Sequence, residues 1–96
     1  MKTIYKYNLM EAYVPGENPK VKVKGFIRIL SVAEQNNEII VYCYVDTGIE
    51  RETLLEFIIC GTGQSFDWGN KYEFLGTVKL SEGRWMWHIF YKEVKE

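Results

Sequence analysis

Apolar and polar residues alternate along this chain in short runs bounded by turn formers, a period of two that specifies strands. Lys2 to Leu9 opens the pattern, with Tyr5, Tyr7 and Leu9 on one face. Pro15-Gly16-Glu17-Asn18-Pro19 is a loop dense in turn formers, and residues 10–20 leave room for a short helix. Val21 and Val23 then alternate with Lys20, Lys22 and Lys24, a half-exposed and positively charged strand. Gly25 breaks the period, as a glycine at a bulge or bend does. Phe26 to Val32 resumes it, and Asn36-Asn37 supplies a two-residue hairpin turn, because Asn tolerates positive φ.

Glu38 to Asp46 is apolar on both faces: Ile39, Val41, Cys43 and Val45 on one, Ile40, Tyr42 and Tyr44 on the other. Thr53 to Cys60 repeats this, with Leu55, Phe57 and Ile59 opposite Leu54, Ile58 and Cys60. A strand wetted on one side does not read this way, so each is central or covered by another subunit. A loop of about ten residues follows Gly61. Tyr72 to Leu80 then alternates, with Tyr72, Phe74, Val78 and Leu80 facing inward. Ser81-Glu82-Gly83 turns the chain into Arg84 to Val94, where Trp85, Trp87, Ile89 and Tyr91 share one face and Met86, His88 and Phe90 the other. The pattern predicts an all-β fold, a small antiparallel β-sandwich or barrel of about six to seven strands, in a single domain over 1–96.

Composition sharpens this picture at two points. Seven Tyr, five Phe and three Trp make up 16% of the chain, more than so small a core needs to bury, which points to a stacking surface or a homo-oligomer interface. The net charge of −1 argues against nonspecific nucleic-acid binding, which calls for a positive excess. The charge is uneven: residues 1–30 carry six Lys/Arg against two Asp/Glu, residues 31–75 two against eight, and residues 76–96 four against three. On a β-fold this is most simply a solvated, mutually compensating surface. Cys43 and Cys60 are too few for a disulfide scaffold and lie in apolar runs, where a thiol acts as a small hydrophobe. With no leader-like or membrane-length apolar stretch, a cytosolic protein with reduced thiols is expected.

Taken in order, Met1-Lys-Thr-Ile-Tyr-Lys-Tyr, Ile29-Leu-Ser-Val, Gly61-Thr-Gly, Leu75-Gly-Thr-Val and Trp87-His-Ile-Phe resemble a family of small phage and prophage proteins known only as a domain of unknown function. The resemblance runs over nearly the whole chain, with a longer segment at 11–24 and an extended loop at 64–71 as departures. It implies a phage protein made in the host bacterial cytoplasm. It supplies no catalytic residues. By association, small accessory phage proteins of this size are often host-takeover or counter-defence factors.

Four features bear on chemistry. Gly61-Thr62-Gly63 follows a strand and has the glycines that let backbone amides converge on an anion, but it lacks the further spacing and the helix of a phosphate-binding fingerprint; a bulged strand end is the plainer reading. Trp85, Trp87 and Tyr91 form a stripe at strand spacing, either a core or subunit face or a stacking platform assisted by Arg84, Arg28 or Arg51. His88 and Cys60 are conceivable as a nucleophile pair, although a thiol at the end of an apolar strand is inert. One His and two separated Cys fall short of a zinc site, and Asp46, Glu50, Glu52 and Asp67 read as turn residues. The expectation is therefore a non-enzymatic binding protein, without cofactor, metal or membrane partner. It would sequester a small nucleotide-like ligand, through Gly61, Thr62, Gly63, Arg84, Trp85, Trp87 and Arg28, or block a host defence protein. A minor virion or scaffolding role is the alternative.

Overall fold

In a computed structural model describing residues 1–69 and 71–95, the doubly apolar segment Glu38–Asp46 lies at the centre of a sheet. This strand, the fourth in the chain (β4), is flanked by β1 (Lys2–Asn8) and β3 (Phe26–Gln35). The second doubly apolar segment, β5 (Glu52–Gly61), lies inside a four-stranded sheet with β2 (Lys20–Lys24), β7 (Trp85–Val94) and β6 (Glu73–Leu80), in the order β2-β5-β7-β6. All pairings are antiparallel. Two packed sheets make this a sandwich rather than a closed barrel. Residues 10–19 form turns and no helix. A single 3₁₀ turn at Ser81–Gly83 is the only helical element among the described residues, and no helix is long and apolar enough to cross a membrane.

The core joins the inward faces of both sheets: Ile39, Val41, Cys43 and Val45 of β4 meet Leu55 and Phe57 of β5, Val78 and Leu80 of β6, and Ile89 of β7. Val23 is buried while Lys20, Lys22 and Lys24 are exposed, as the alternation in β2 requires. Tyr5 and Tyr7 share the inward face of β1, opposite Cys43 and Val41, but Tyr5 stands on an edge strand and stays half exposed.

Gly25 is a corner rather than a bulge. Its φ of 68° turns the chain from one sheet to the other, its amide donates to the Arg51 carbonyl and its own carbonyl accepts from the Asp46 amide, each at 2.8 Å. Asn36 and Asn37 have φ of 53° and 61°, the left-handed pair of a type I′ hairpin.

The inward assignment of Tyr72 and Phe74 does not hold. A bulge between Phe74 and Gly76 shifts the register of β6 against β7. Gly76, Val78 and Leu80 therefore face the core, while Phe74 is exposed and sits against Phe90 on the outer face of the sheet. Leu75 takes the inward position and packs against the core. Tyr72 lies before the strand, with its hydroxyl donating to Glu56 on that same outer face.

Candidate functional site

Two hairpin turns and the start of the 61–71 loop meet at one end of the sandwich. The β3–β4 turn and the β6–β7 turn come from opposite sheets, and the Ser81 amide donates to Asn37 Oδ1 at 2.7 Å across the gap. Ser81, Glu82 and Gly83 have φ of 53°, 57° and 93°, so three successive left-handed residues shape this turn. Ser81 and Glu82 lack asparagine's tolerance of this region, and each holds it at a cost of about 1–2 kcal/mol.

An open cleft of about 650 Å³ lies between the two turns, walled by Glu34 and Asn37 on one side and by Lys79, Glu82 and Arg84 on the other. Glu34 is already engaged, accepting the Asn37 amide at 2.6 Å. Neither Lys79 nor Arg84 has a salt-bridge partner among the described residues.

A second cleft of about 400 Å³ opens where the two sheets separate, lined by Ile39, Ile59, Leu80 and Trp87 from four strands and by Met10 and Tyr13 from the turns after β1. Gln64 adds the only amide to this apolar wall. The two clefts share a partition: Leu80 lines the apolar one, and its neighbours Lys79 and Ser81 line the polar one.

Trp85 stands at the end of the inward face of β7, as the register partner of Leu80. It is 58% exposed and stacks on Trp87 with ring centroids 6.4 Å apart and planes 28° from parallel.

Of the residues singled out in the sequence, Gly61, Thr62, Gly63, Arg84, Trp85 and Trp87 gather at this end. Gly61 is the register partner of Trp87, and a Cβ on it would lie 3.1 Å from the indole. The loop amides are largely occupied from within. Gly61 donates to Gln64 Oε1 at 2.8 Å, Thr62 to the Met86 carbonyl at 3.3 Å and Gln64 to the Gly61 carbonyl at 3.0 Å. Arg28 is not part of this group. It pairs with Tyr44, six positions along β4 from the hairpin, or about 20 Å at ordinary strand rise. Arg51 lies at the opposite end, where its carbonyl serves Gly25.

Cys60 and His88 are direct cross-strand neighbours on the outer face of the four-stranded sheet. Their side chains nonetheless have other partners. Thr62 Oγ1 lies 2.7 Å from His88 Nε2 and Thr77 Oγ1 lies 2.9 Å from Nδ1, so both ring nitrogens are held by threonine hydroxyls. The buried Cys60 thiol faces the carbonyls of Gly61 and Gln64 at 3.5 and 3.7 Å. No group of three or more His, Cys, Asp or Glu among the described residues is placed to hold a metal ion.

Met10, Tyr13, Ile59, Gln64, Leu80 and Lys79 are the site residues that sequence reasoning missed. Lys79 reads as an outward strand position and lines the polar cleft, while the other five read locally as core or turn and come together only around the apolar cleft. No curated protein and no solved structure matches the chain. A family's sequence model does match it across residues 1–96, and the chain therefore belongs to the family described as Domain of unknown function (DUF7352).

Proposed function

We propose that this chain is a non-enzymatic binding protein, a phage accessory factor that works in the cytoplasm of the bacterial host. In this reading it sequesters a small nucleotide-like ligand, in counter-defence, at the end of the sandwich carrying Trp85. The observation that carries the reading is Trp85 itself, 58% exposed, stacked on Trp87 and adjacent in sequence to Arg84, which has no ionic partner among the described residues. The core does not need this indole. A base stacked on such a ring gains about 1–3 kcal/mol, and a guanidinium binds phosphate through charge-assisted hydrogen bonds. A calorimetric screen of mono-, di- and cyclic nucleotides tests it: heat with at least one of them is expected, and silence across the panel leaves a host protein as the target.

A specific observation favours a second reading, assembly. The outer face of the three-stranded sheet carries the half-buried Tyr42 and Tyr44, with the 55%-exposed Ile4 opposite Tyr44. A homo-oligomer or a minor virion or scaffolding role would use this face. Mass spectrometry of purified particles separates the two, because a structural component must be present in them.

A further inference from the structure

The two clefts at the hairpin end have complementary chemistry and a common wall, and from this we infer that they act as one bipartite site. A flat heteroaromatic ring enters the apolar cleft against Trp87, and an anionic group attached to it rests on Lys79 and Arg84. The inference rests on the nucleotide-binding reading above and specifies how such a ligand sits.

The apolar cleft has the size of a small-molecule pocket, about 400 Å³ in a range that begins near 300 Å³. Its walls are set by the fold. Ile39 and Leu80 are among the last inward side chains of their sheets, next to the turns that the Asn37–Ser81 hydrogen bond ties together. Met10 and Tyr13 line the cleft from the turns after β1 without filling it. Gln64 gives the cleft a polar determinant. Its Oε1 accepts the Gly61 amide, which leaves its NH₂ group, unpaired among the described residues, as a donor for a ring nitrogen or carbonyl. A mostly apolar cavity whose polar groups come from Gln64 and from the Tyr13 side chain suits a heteroaromatic ring better than a lipid tail.

The anion follows from the charges beyond the partition. The polar cleft contains two cations and two carboxylates, Glu34 and Glu82, and Glu34 is tied to the Asn37 amide. The Asn37 amide fixes the position of Glu34 but leaves its charge. Lys79 and Arg84 therefore face an incoming anion opposed by both Glu34 and Glu82, and binding depends on how the two cations are aimed and not on a net positive cleft. The Lys79 side chain lies along Gly83, 3.2 Å from where a Cβ would stand, so the glycine lets the ammonium arm fold into the turn. In this arrangement phosphate binding falls to side chains, because the Gly61 and Thr62 amides have internal partners.

The test uses the four nucleoside 5′-monophosphates, with adenosine and ribose 5-phosphate as half-ligands, titrated calorimetrically into the full chain. At least one monophosphate is expected to bind, and each half-ligand to bind tenfold or more weakly. Met10→Trp and Ile59→Phe fill the apolar cleft and should each cost at least tenfold. Met10 lies on an exposed turn, so that variant keeps the fold even if Ile59→Phe does not. Arg84→Ala should cost about tenfold, and Glu82→Gln should tighten binding severalfold. If Met10→Trp, folded by near-ultraviolet circular dichroism, binds within twofold of the parent while Arg84→Ala is weakened, the ring does not use the cleft and the inference fails, with ligand binding itself intact. If none of the monophosphates binds, the bipartite site is overturned, whereas the reading it rests on falls only if the di- and cyclic nucleotides are silent as well.

Discussion

Asn37 and Ser81 join the two sheets at the site, the Asn37 Oδ1 accepting the Ser81 amide at 2.7 Å from a turn 44 residues away in sequence. This bond is solvent-exposed, so removing it costs less than a buried one, about 0.5–1 kcal/mol. Asn37→Gly keeps the left-handed φ of 61° and removes only the bond. Asn37→Ala removes the bond and adds roughly 1 kcal/mol of backbone strain. Thermal melts should therefore rank the parent above Asn37→Gly and Asn37→Ala last, with spacings of a few degrees at 4–8 °C per kcal/mol for a domain of about this size. Equal melting of the two variants would show that the side-chain bond is not what organises the turn.

Glycine substitutions should separate just as clearly. Gly25 has φ of 68°, and a Cβ there would stand 2.1 Å from the Asp46 carbonyl oxygen, a backbone atom that cannot swing away. Gly25→Ala should cost about 3 kcal/mol or more, enough to impair folding in a domain this small. Gly63 has φ of 88° but open space around it, so Gly63→Ala should cost about 1–2 kcal/mol. Denaturant titration of the two variants checks the contrast.

The sequence pattern reached the architecture because it encodes which face each residue takes. Two doubly apolar runs became the inner strands of two sheets, and Gly25 and Asn36-Asn37 marked real direction changes. The pattern failed at Phe74, because a bulge inserts one residue without changing composition and everything before it changes face. It failed at Arg28 for a different reason: strand register decides distance, and register is a tertiary property. The apolar cleft was illegible because its lining residues come from several elements, and alternation says nothing about where two sheets part.

Core and site aromatics should respond oppositely to truncation. Phe57 is the largest fully buried side chain, and Phe57→Ala should cost about 3–5 kcal/mol. Trp85→Ala loses an exposed ring and one stacking contact, about 1 kcal/mol. The first variant should fail to fold stably, while the second should melt close to the parent and bind nucleotide more weakly, because Trp85 stacks on the Trp87 ring that walls the apolar cleft. A Trp85→Ala variant as unstable as Phe57→Ala would make the exposed indole structural.

Alkaline pH should destabilise the protein. Burial pushes the Cys43 thiol from its ordinary 9.0 up to about 12. Burial and then hydrogen bonds to Glu56 and Glu73 push Tyr72 and Tyr91 from 10.0 up to about 12. Each group holds its proton more tightly when folded, so its contribution is fully present below the unfolded value and is lost as pH rises towards 12. Urea midpoints measured from pH 8 to 11 should fall, with the onset between pH 9 and 10. The same burial predicts that Cys43 and Cys60 react slowly with a thiol reagent until the protein unfolds.

Self-association is the last expectation, and the fold narrows where it can occur. Both inner strands were candidates for cover by another subunit, but the chain covers one of them itself. The 61–71 loop carries Phe66 and Trp68 onto Phe90, with ring centroids 5.0 and 4.9 Å away, over the outer face of the four-stranded sheet. Trp68 is anchored there by its indole N–H, which donates to the Tyr72 carbonyl at 2.8 Å. On the outer face of the three-stranded sheet Ile40 is buried at the hairpin end, but among the described residues no aromatic pair comparable to Phe66 and Trp68 stacks over Tyr42 and Tyr44. Tyr44 is flanked on β1 by Ile4 and on β3 by Arg28, and Tyr42 by Lys6 and Ser31, an amphipathic surface of the kind that buries aromatics between subunits. A dimer should therefore form through this sheet and not through the strapped one. Light scattering at micromolar concentration should give twice the monomer mass, and Ile4→Lys, which places a second charge beside Lys6 without touching the core, should return it to monomer. Phe66→Ala should leave the mass unchanged while loosening the loop. A clean monomer for the parent chain at that concentration would refute the dimer, and a dimer that survives Ile4→Lys but dissociates on Phe66→Ala would move the interface to the opposite face.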